Sequence, residues 1–447
     1  MAQVLDGPNT DGPNTDGPSP DGPSPDGHTG EGASGGRVRA TYRVESMVGL
    51  EKAAETLAGE QSSGTFVRVE GETPELQRRH GAQVVSIADL GDVGAPSLPG
   101  AVGKPPARAG IVTLDFPLEN FGPSIPNLLA AVAGNLYELR ELAGVRLVDL
   151  ELPLEFAGPY RGPRFGVEGT RRLMSSPSGA LIGGIVKPSV GLAPEEQAMR
   201  VLALAEAGAD FAKDDELISD PPYSPLEERV RHVVRAVEQA ADKTGRKLMY
   251  AFNITGDIDQ LRRRHDLVVA AGGTCVMVCV NLVGFPGVRY LNQFNEVPIH
   301  GHRAMMGALM RHPALGIDFR AFQKLARLAG VDHLHTNGMD NKFYETNDEV
   351  EASIKAVREP LLGGFHILPV LSSGQWAGTV APAWQRVGTT DLLMVAGGGI
   401  FAHPGGPGAG VASLREAWEA AVAGEPLEER ARSSTAVAGA IAKFALA

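Results

Sequence analysis

GGIVKPSVGLAPEEQAMRVLALAEAGADFAKDDEL (183–217) decides how this chain folds. It opens on a short apolar run, GGIVKP (183–188), and passes through a helical stretch, PEEQAMRVLALAEAG (194–208). It then returns to a second apolar run, ADFAKDD (209–215). Strand, helix and strand in that order make the unit of a parallel sheet, whose strands are covered on both faces and so read as near-continuous apolar runs. The pattern recurs downstream at LMYAFNITG (248–256), CVMVCVNL (275–282), VPIHGH (297–302), VDHLHT (331–336), HILPVLSSG (366–374) and LLMVAGGG (392–399). Helical stretches such as SPLEERVRHVVRAVEQAADKTG (224–245) and DFRAFQKLARLAG (318–330) separate these runs. Eight strand–helix units predict a closed (β/α)8 barrel in preference to an open, doubly wound sheet.

Upstream the pattern differs. Strands are expected at RVRATYRVE (37–45), GTFVRVEG (64–71), GIVTLDFP (110–117) and VRLVDLELP (145–153), with helices at VGLEKAAETLAGEQ (48–61) and SIPNLLAAVAGNLYELREL (124–142). Strands interleaved with two helices predict a small α+β domain of ferredoxin-like type with an antiparallel sheet over 37–158, and the barrel then occupies 159–447. Residues 6–27 repeat Asp-Gly-Pro with Asn, Ser, Thr or Pro. That composition breaks helices and buries no core, so 1–36 reads as a disordered, solubilising tail.

The 447 residues carry a net charge of −12, which argues against a broad nucleic-acid or membrane surface and requires a local basic pocket for any anionic substrate. No apolar run is long enough to span a bilayer, and the N-terminus lacks a basic segment followed by an apolar one. Cys275 and Cys279 would lie roughly 13 Å apart along a strand, too far to bridge. They read as buried thiols of a cytoplasmic protein.

In such a barrel the functional groups collect at the C-terminal ends of the strands. Lys187 ends the first, Lys213, Asp214, Asp215 and Glu216 the second, and His300, His302 and Arg303 the fifth. His333 and His335 end the sixth, Ser372, Ser373 and Gly374 the seventh, and Gly397, Gly398 and Gly399 the eighth. A lone histidine there reads as well as a packing residue, and a glycine triplet as a tight turn. Glycine-rich turns after both of the last two strands are more specific, because barrels bind phosphate there through backbone amides. With Arg303 and His335 nearby, a phosphorylated small molecule is the expected ligand. Asp215 and Glu216 can supply oxygen ligands to a hard cation such as Mg²⁺. An ammonium at Lys213 would repel that cation, whereas its neutral amine can react with CO₂ to give an anionic carbamate and so a third ligand. A surface salt-bridge cluster is the structural alternative.

The motifs GIVKPSVGL, GADFAKDDE, HGHRAM, DHLHTNGMDNK, LPVLSSG and GGGIFAHPGG, in this order, resemble the large subunit of ribulose-bisphosphate carboxylase (RuBisCO). The resemblance is closer to the RuBisCO-like proteins and runs from about residue 40 to the C-terminus. It implies that Lys213 is carbamylated and holds one Mg²⁺ with Asp215 and Glu216. Lys187 is implied to exchange protons with an enediolate, and His302 and Arg303 to form the pair on strand five. Arg303, His335 and Ser372 would bind one phosphate, and Gly374, Gly397 and Gly398 would cradle the other. Lys342 takes the place of the mobile-loop lysine that stabilises a carboxylate. Glu60, Thr65 and Asn135 would reach the active site of a second subunit, so a homodimer is the implied minimum.

The chain departs from the carboxylases at Ile185, Ser189 and Val190, where they carry TIKPKLG, and at Met306, where they carry a histidine. Phe66 and the SSG turn also differ in detail. Proton handling around the carbonyl is altered, which disfavours carboxylation of ribulose bisphosphate. Lys342 favours decarboxylation, transcarboxylation or hydrolysis of a 3-oxo sugar acid phosphate, of the 3-oxo-isoapionate 4-phosphate type. The alternatives are an enolase or isomerase acting on a methylthio-sugar phosphate, and a barrel that binds a phosphorylated metabolite without turning it over.

Overall fold

The computed structural model describes residues 36–64 and 69–445 of the chain. The Asp-Gly-Pro tail up to Gly35, Thr65 and Phe66 lie outside the described residues.

Four antiparallel strands, β1 (Arg37–Ser46), β2 (Gln83–Gly94), β3 (Ala107–Pro117) and β4 (Gly144–Glu151), line up in the order β4-β1-β3-β2. With the helices Leu50–Glu60 and Ile125–Ala133 this is the expected ferredoxin-like order. Alternation along β1 drives the packing: Val38, Ala40, Tyr42 and Val44 are fully buried while Arg37, Arg39, Thr41 and Arg43 between them are half-buried. Tyr42 donates from its hydroxyl to the Val132 carbonyl at 2.8 Å and so ties the sheet to the second helix.

Two expectations need correction here. The strand expected over 64–71 is not seen in its described part, where Glu70 and Gly71 form a turn. The partner of β3 is instead β2, whose register shifts at three places and whose side chains are mostly exposed. The helix expected over 124–142 stops at Ala133, because Gly134 leaves the helical region (φ −77°, ψ −111°), and only a short 3-10 turn, Asn135–Glu138, follows.

The remaining strands form the closed parallel barrel. They are β5 (Leu181–Ile185), β6 (Phe211–Lys213), β7 (Met249–Asn253), β8 (Cys275–Cys279) and β9 (Ile299–His302), then β11 (His333–His335), β12 (Leu368–Leu371) and β13 (Leu393–Ala396). A short strand, β10 (Leu315–Ile317), leaves the barrel and pairs in parallel with β4, which makes the N-terminal sheet five-stranded and mixed. Most barrel strands divide their apolar side chains between two cores. Phe211, Met249, Met277, Val370 and Val395 fill the interior with Met174, while Ala212, Tyr250, Val276 and Val278 pack outward under the helices. Cys275 and Cys279 are buried free thiols. Among the described residues no helix is long and apolar enough to cross a membrane.

Candidate active site

The period-two alternation of β6 sets the chemistry at its end. Phe211 points into the barrel and Ala212 outward, so Lys213 points inward again and Asp214 outward. Asp214 is fully buried among the outer packing. It accepts from the Tyr250 hydroxyl at 2.6 Å, the Asn253 amide at 2.8 Å, Arg229 Nε at 3.2 Å, and also from Gln197 Nε2. Of the three acids after Lys213, this one braces the strand end.

Lys213 is fully buried, and burial lowers its pKa even though Glu216 and Asp215 pull the other way. Its Nζ donates to the Asp214 carbonyl at 2.8 Å and lies 3.7 Å from Glu216 Oε2. Lys187 Nζ meets Asp215 Oδ2 at 2.6 Å and Ser189 Oγ at 2.7 Å. Gly397 makes this possible, since a Cβ there would sit 2.8 Å from Lys187 Cε. His302 Nδ1 accepts from the Ala304 amide at 3.1 Å, so in the neutral ring the proton is on Nε2, 3.5 Å from Glu216 Oε2. Burial, then the nearby Lys213, push the His302 pKa well down.

The donor set fits a hard cation only after one change. Among the described residues no three His, Cys, Asp or Glu side chains stand ready to hold a metal. Two carboxylates converge on a buried lysine whose pKa burial lowers, and a carbamate on that lysine would supply the missing oxygen donor.

A second buried chain runs through the barrel. The Thr170 hydroxyl donates to the Gly166 carbonyl at 2.5 Å, so its oxygen can only accept from His333 Nε2 at 2.8 Å. That sets the remaining tautomers. His300 Nδ1 donates to His333 Nδ1 at 3.3 Å, His335 Nε2 donates to His300 Nε2 at 2.8 Å, and the Ser372 hydroxyl donates to His335 Nδ1 at 3.0 Å. Burial keeps all three rings neutral; it pushes His333 down to about 3 and the other two well below the usual imidazole value.

Above these groups opens a cleft of about 940 Å³. Lys187, Glu216, His302, Arg303, His335, Lys342, Ser372, Gly374, Gly397 and Gly398 all line it. Lys213 and Asp215 are buried behind Glu216 and Lys187, to which they are paired. Lys342 is exposed at the mouth, its Nζ 5.3 Å from the Phe343 ring, and its amide donates to the Ser373 carbonyl at 3.1 Å. Gly374 has φ +88° and leaves only van der Waals room beside Lys342. A Cβ on Gly398 would meet open space. Met305, Asn337, Asp340 and Ser373 hold positive φ in the loops that shape the rim, the kind of strain that functional loops carry.

Glu60 and Asn135 are exposed on the small domain and are not among the described residues lining this cleft. Glu345, Asn337, Trp376 and Phe444 line it without having been singled out in the sequence. Trp376 and Phe444 pack ring to ring at 5.8 Å, which brings the last helix, Thr435–Phe444, to the cleft.

A closed barrel with a lysine–carboxylate cluster and two glycine turns at the C-terminal rim of its strands has the layout of a barrel enzyme's active site. Residues 166–444 match the family model of the ribulose bisphosphate carboxylase large chain, catalytic domain, and residues 34–156 that of its N-terminal domain. The chain belongs to this family and, within it, to the RuBisCO-like proteins. It is 51% identical over 407 residues to a 3-oxo-isoapionate-4-phosphate transcarboxylase/hydrolase of Xanthobacter autotrophicus, covering 91% of this chain and 98% of that one. It is 43% identical over 411 residues to a 3-oxo-isoapionate-4-phosphate decarboxylase of Rhizobium rhizogenes, with the same two coverages, 91% and 98%. A RuBisCO-like protein from Burkholderia fungorum superposes with a TM-score of 0.86 at 42% identity, covering 91% of this chain and all of the other.

Proposed function

We propose that the protein is a Mg²⁺-dependent RuBisCO-like enzyme that cleaves the carboxyl group from a phosphorylated 3-oxo sugar acid of the 3-oxo-isoapionate 4-phosphate type. The observation that carries this reading is that Lys187 and Lys342 open into one cleft with Glu216 and the glycine turns. Relatives 51% and 43% identical over nearly their whole lengths, named for that substrate, support it.

Lys213 as its carbamate, Asp215 and Glu216 would hold the metal. When bound, the metal supplies Lewis-acid stabilisation of negative charge beside the substrate's oxo group. The glycine turns at Gly374, Gly397 and Gly398 hold the phosphate through backbone amides. The Lys342 ammonium meets the carboxylate. As the carbon–carbon bond breaks, its electron pair passes toward the oxo group, and the carboxyl carbon leaves as CO₂ or is taken by an acceptor. His302 Nε2–H donates to the developing oxyanion, and Lys187, steadied by Ser189, delivers the proton that quenches the enediolate carbon. The small domain ends near residue 158. Glu60 and Asn135 of the partner subunit would complete the cleft in a cytoplasmic homodimer.

The test is an NMR time course with 3-oxo-isoapionate 4-phosphate in D₂O, with and without Mg²⁺ and bicarbonate. Loss of the carboxylate with deuterium in the product is expected, and none with Lys187→Met. No reaction with this substrate, but turnover of a methylthio-sugar phosphate, would replace the reading with an enolase or isomerase.

A further inference from the structure

Arg303, His335 and Ser372 line one end of the cleft, and all three are already committed inside the protein. Arg303 Nη2 donates to Glu345 Oε2 at 2.8 Å and Nη1 to Oε1 at 3.3 Å. The pair is buried, with side-chain exposures of 8% and 0%. Asn337 also donates to Glu345, and the Phe319 ring lies 5.0 Å from the guanidinium. His335 spends one ring nitrogen on His300 and the other on Ser372, whose only hydroxyl proton goes to that ring.

We propose that Glu345 is a built-in occupant of the anion site Arg303 would otherwise offer, so that the cleft takes substrates with one phosphate and refuses sugar bisphosphates. This deepens the reading above and rests on it for placing the single phosphate at the glycine end.

The two ends differ in what they can give an anion. At the glycine end, space is open beside Gly398, and the exposed Lys342 ammonium stands next to Gly374. At the other end a phosphate dianion would face the Glu345 carboxylate, and like charges in a desolvated cleft repel strongly. Arg303 still has N–H groups beyond those given to Glu345 and Met310, but the ion pair as a whole has no net charge. Ser372 can only accept, since its proton is spent. This end therefore suits a hydroxyl or carbonyl group. Among the described residues lining the cleft, Arg311 is the remaining cation on that side, exposed at the rim with its guanidinium 5.4 Å from the Tyr344 ring. In sequence Glu345 is one acid among several after Lys342, and only the folded loop brings it to Arg303.

The test compares ribulose 5-phosphate with ribulose 1,5-bisphosphate, binding to the full chain in Mg²⁺ and bicarbonate, by titration calorimetry. The wild type is expected to bind the two within about threefold of each other, and Glu345→Gln to favour the bisphosphate by about tenfold or more. A wild-type preference for the bisphosphate above about tenfold, or an unchanged ratio in Glu345→Gln, would overturn the proposal. If Glu345→Gln does not fold, the wild-type ratio decides alone. Binding also separates this proposal from the reaction. The expected ratios without turnover of the 3-oxo acid phosphate refute the reaction and leave single-phosphate selectivity standing. Turnover with a wild-type bisphosphate preference refutes the selectivity alone.

Discussion

Lys187 Nζ lies 2.6 Å from Asp215 Oδ2, held there by Ser189. The ammonium thus occupies a carboxylate oxygen that a metal would need, and on the proposed reading Mg²⁺ would have to compete for it. Lys187→Met should bind Mg²⁺ about three- to tenfold more tightly in the presence of bicarbonate, by titration calorimetry, while turnover falls at least about a hundredfold. Equal Mg²⁺ affinity in the two proteins would show that Lys187 and the metal do not share Asp215.

Gly397 is where side-chain bulk meets Lys187. A Cβ there would approach Lys187 Cε to 2.8 Å, so Gly397→Ala pushes the amine off its position between Asp215 and Ser189. A displacement of that size should cost about ten- to a hundredfold in kcat. Mg²⁺ affinity should not fall, because Lys213, Asp215 and Glu216, the proposed ligands, are untouched. A loss of Mg²⁺ affinity matching the loss of kcat would point to a wider rearrangement.

Asp214 braces the strand that carries Lys213. Asp214→Ala leaves the fully buried Arg229 guanidinium without its carboxylate. Removing one partner of a buried ion pair costs about 3–5 kcal/mol, read as a lowered urea midpoint. Asp214→Asn keeps the shape and part of the hydrogen bonding, and should cost less.

The buried histidines make stability depend on pH. Burial depresses His333 to about 3 in the folded state, below the ordinary value of 6.5, so the unfolded chain takes up its proton first as pH falls. Its contribution is complete above about pH 6.5 and is lost progressively toward pH 3, at about 1.4 kcal/mol per pH unit. His300 and His335 act in the same direction. Asp332 opposes them: burial raises its carboxyl to about 6, so the folded state gains protons first between pH 6 and 3.8 and is favoured there. His302 joins the histidines and the buried Glu345 carboxyl joins Asp332, so four depressed imidazoles against two raised carboxyls predict a urea midpoint that falls below pH 6.5 and a shallower fall in His333→Gln. A midpoint flat from pH 7 to 5 would contradict this.

Much of the barrel was legible because strands buried on both faces carry an apolar signal that turn residues interrupt. The strand ends were legible for the same reason: Lys187, Lys213 and Glu216 are charges set directly after apolar runs. β2 was missed because its mostly exposed side chains and three register shifts erase alternation. β10 was missed because three residues, LGI, carry no pattern of their own and pair with a strand far away in sequence. Glu345 and the Thr170–His333–His300–His335–Ser372 chain were invisible because each depends on which groups the closed barrel makes neighbours. The role of Asp214 needed the inward–outward alternation of β6, which the apolar run does not display.

The most direct test of the chemistry at Lys213 is a ¹³C NMR spectrum of the protein with Mg²⁺ and ¹³C-bicarbonate. One new carbamate resonance per chain, absent in Lys213→Ala, together with Mg²⁺ affinity that rises with CO₂, is the predicted result. Mg²⁺ binding of equal strength with and without CO₂, and no carbamate signal, would contradict it.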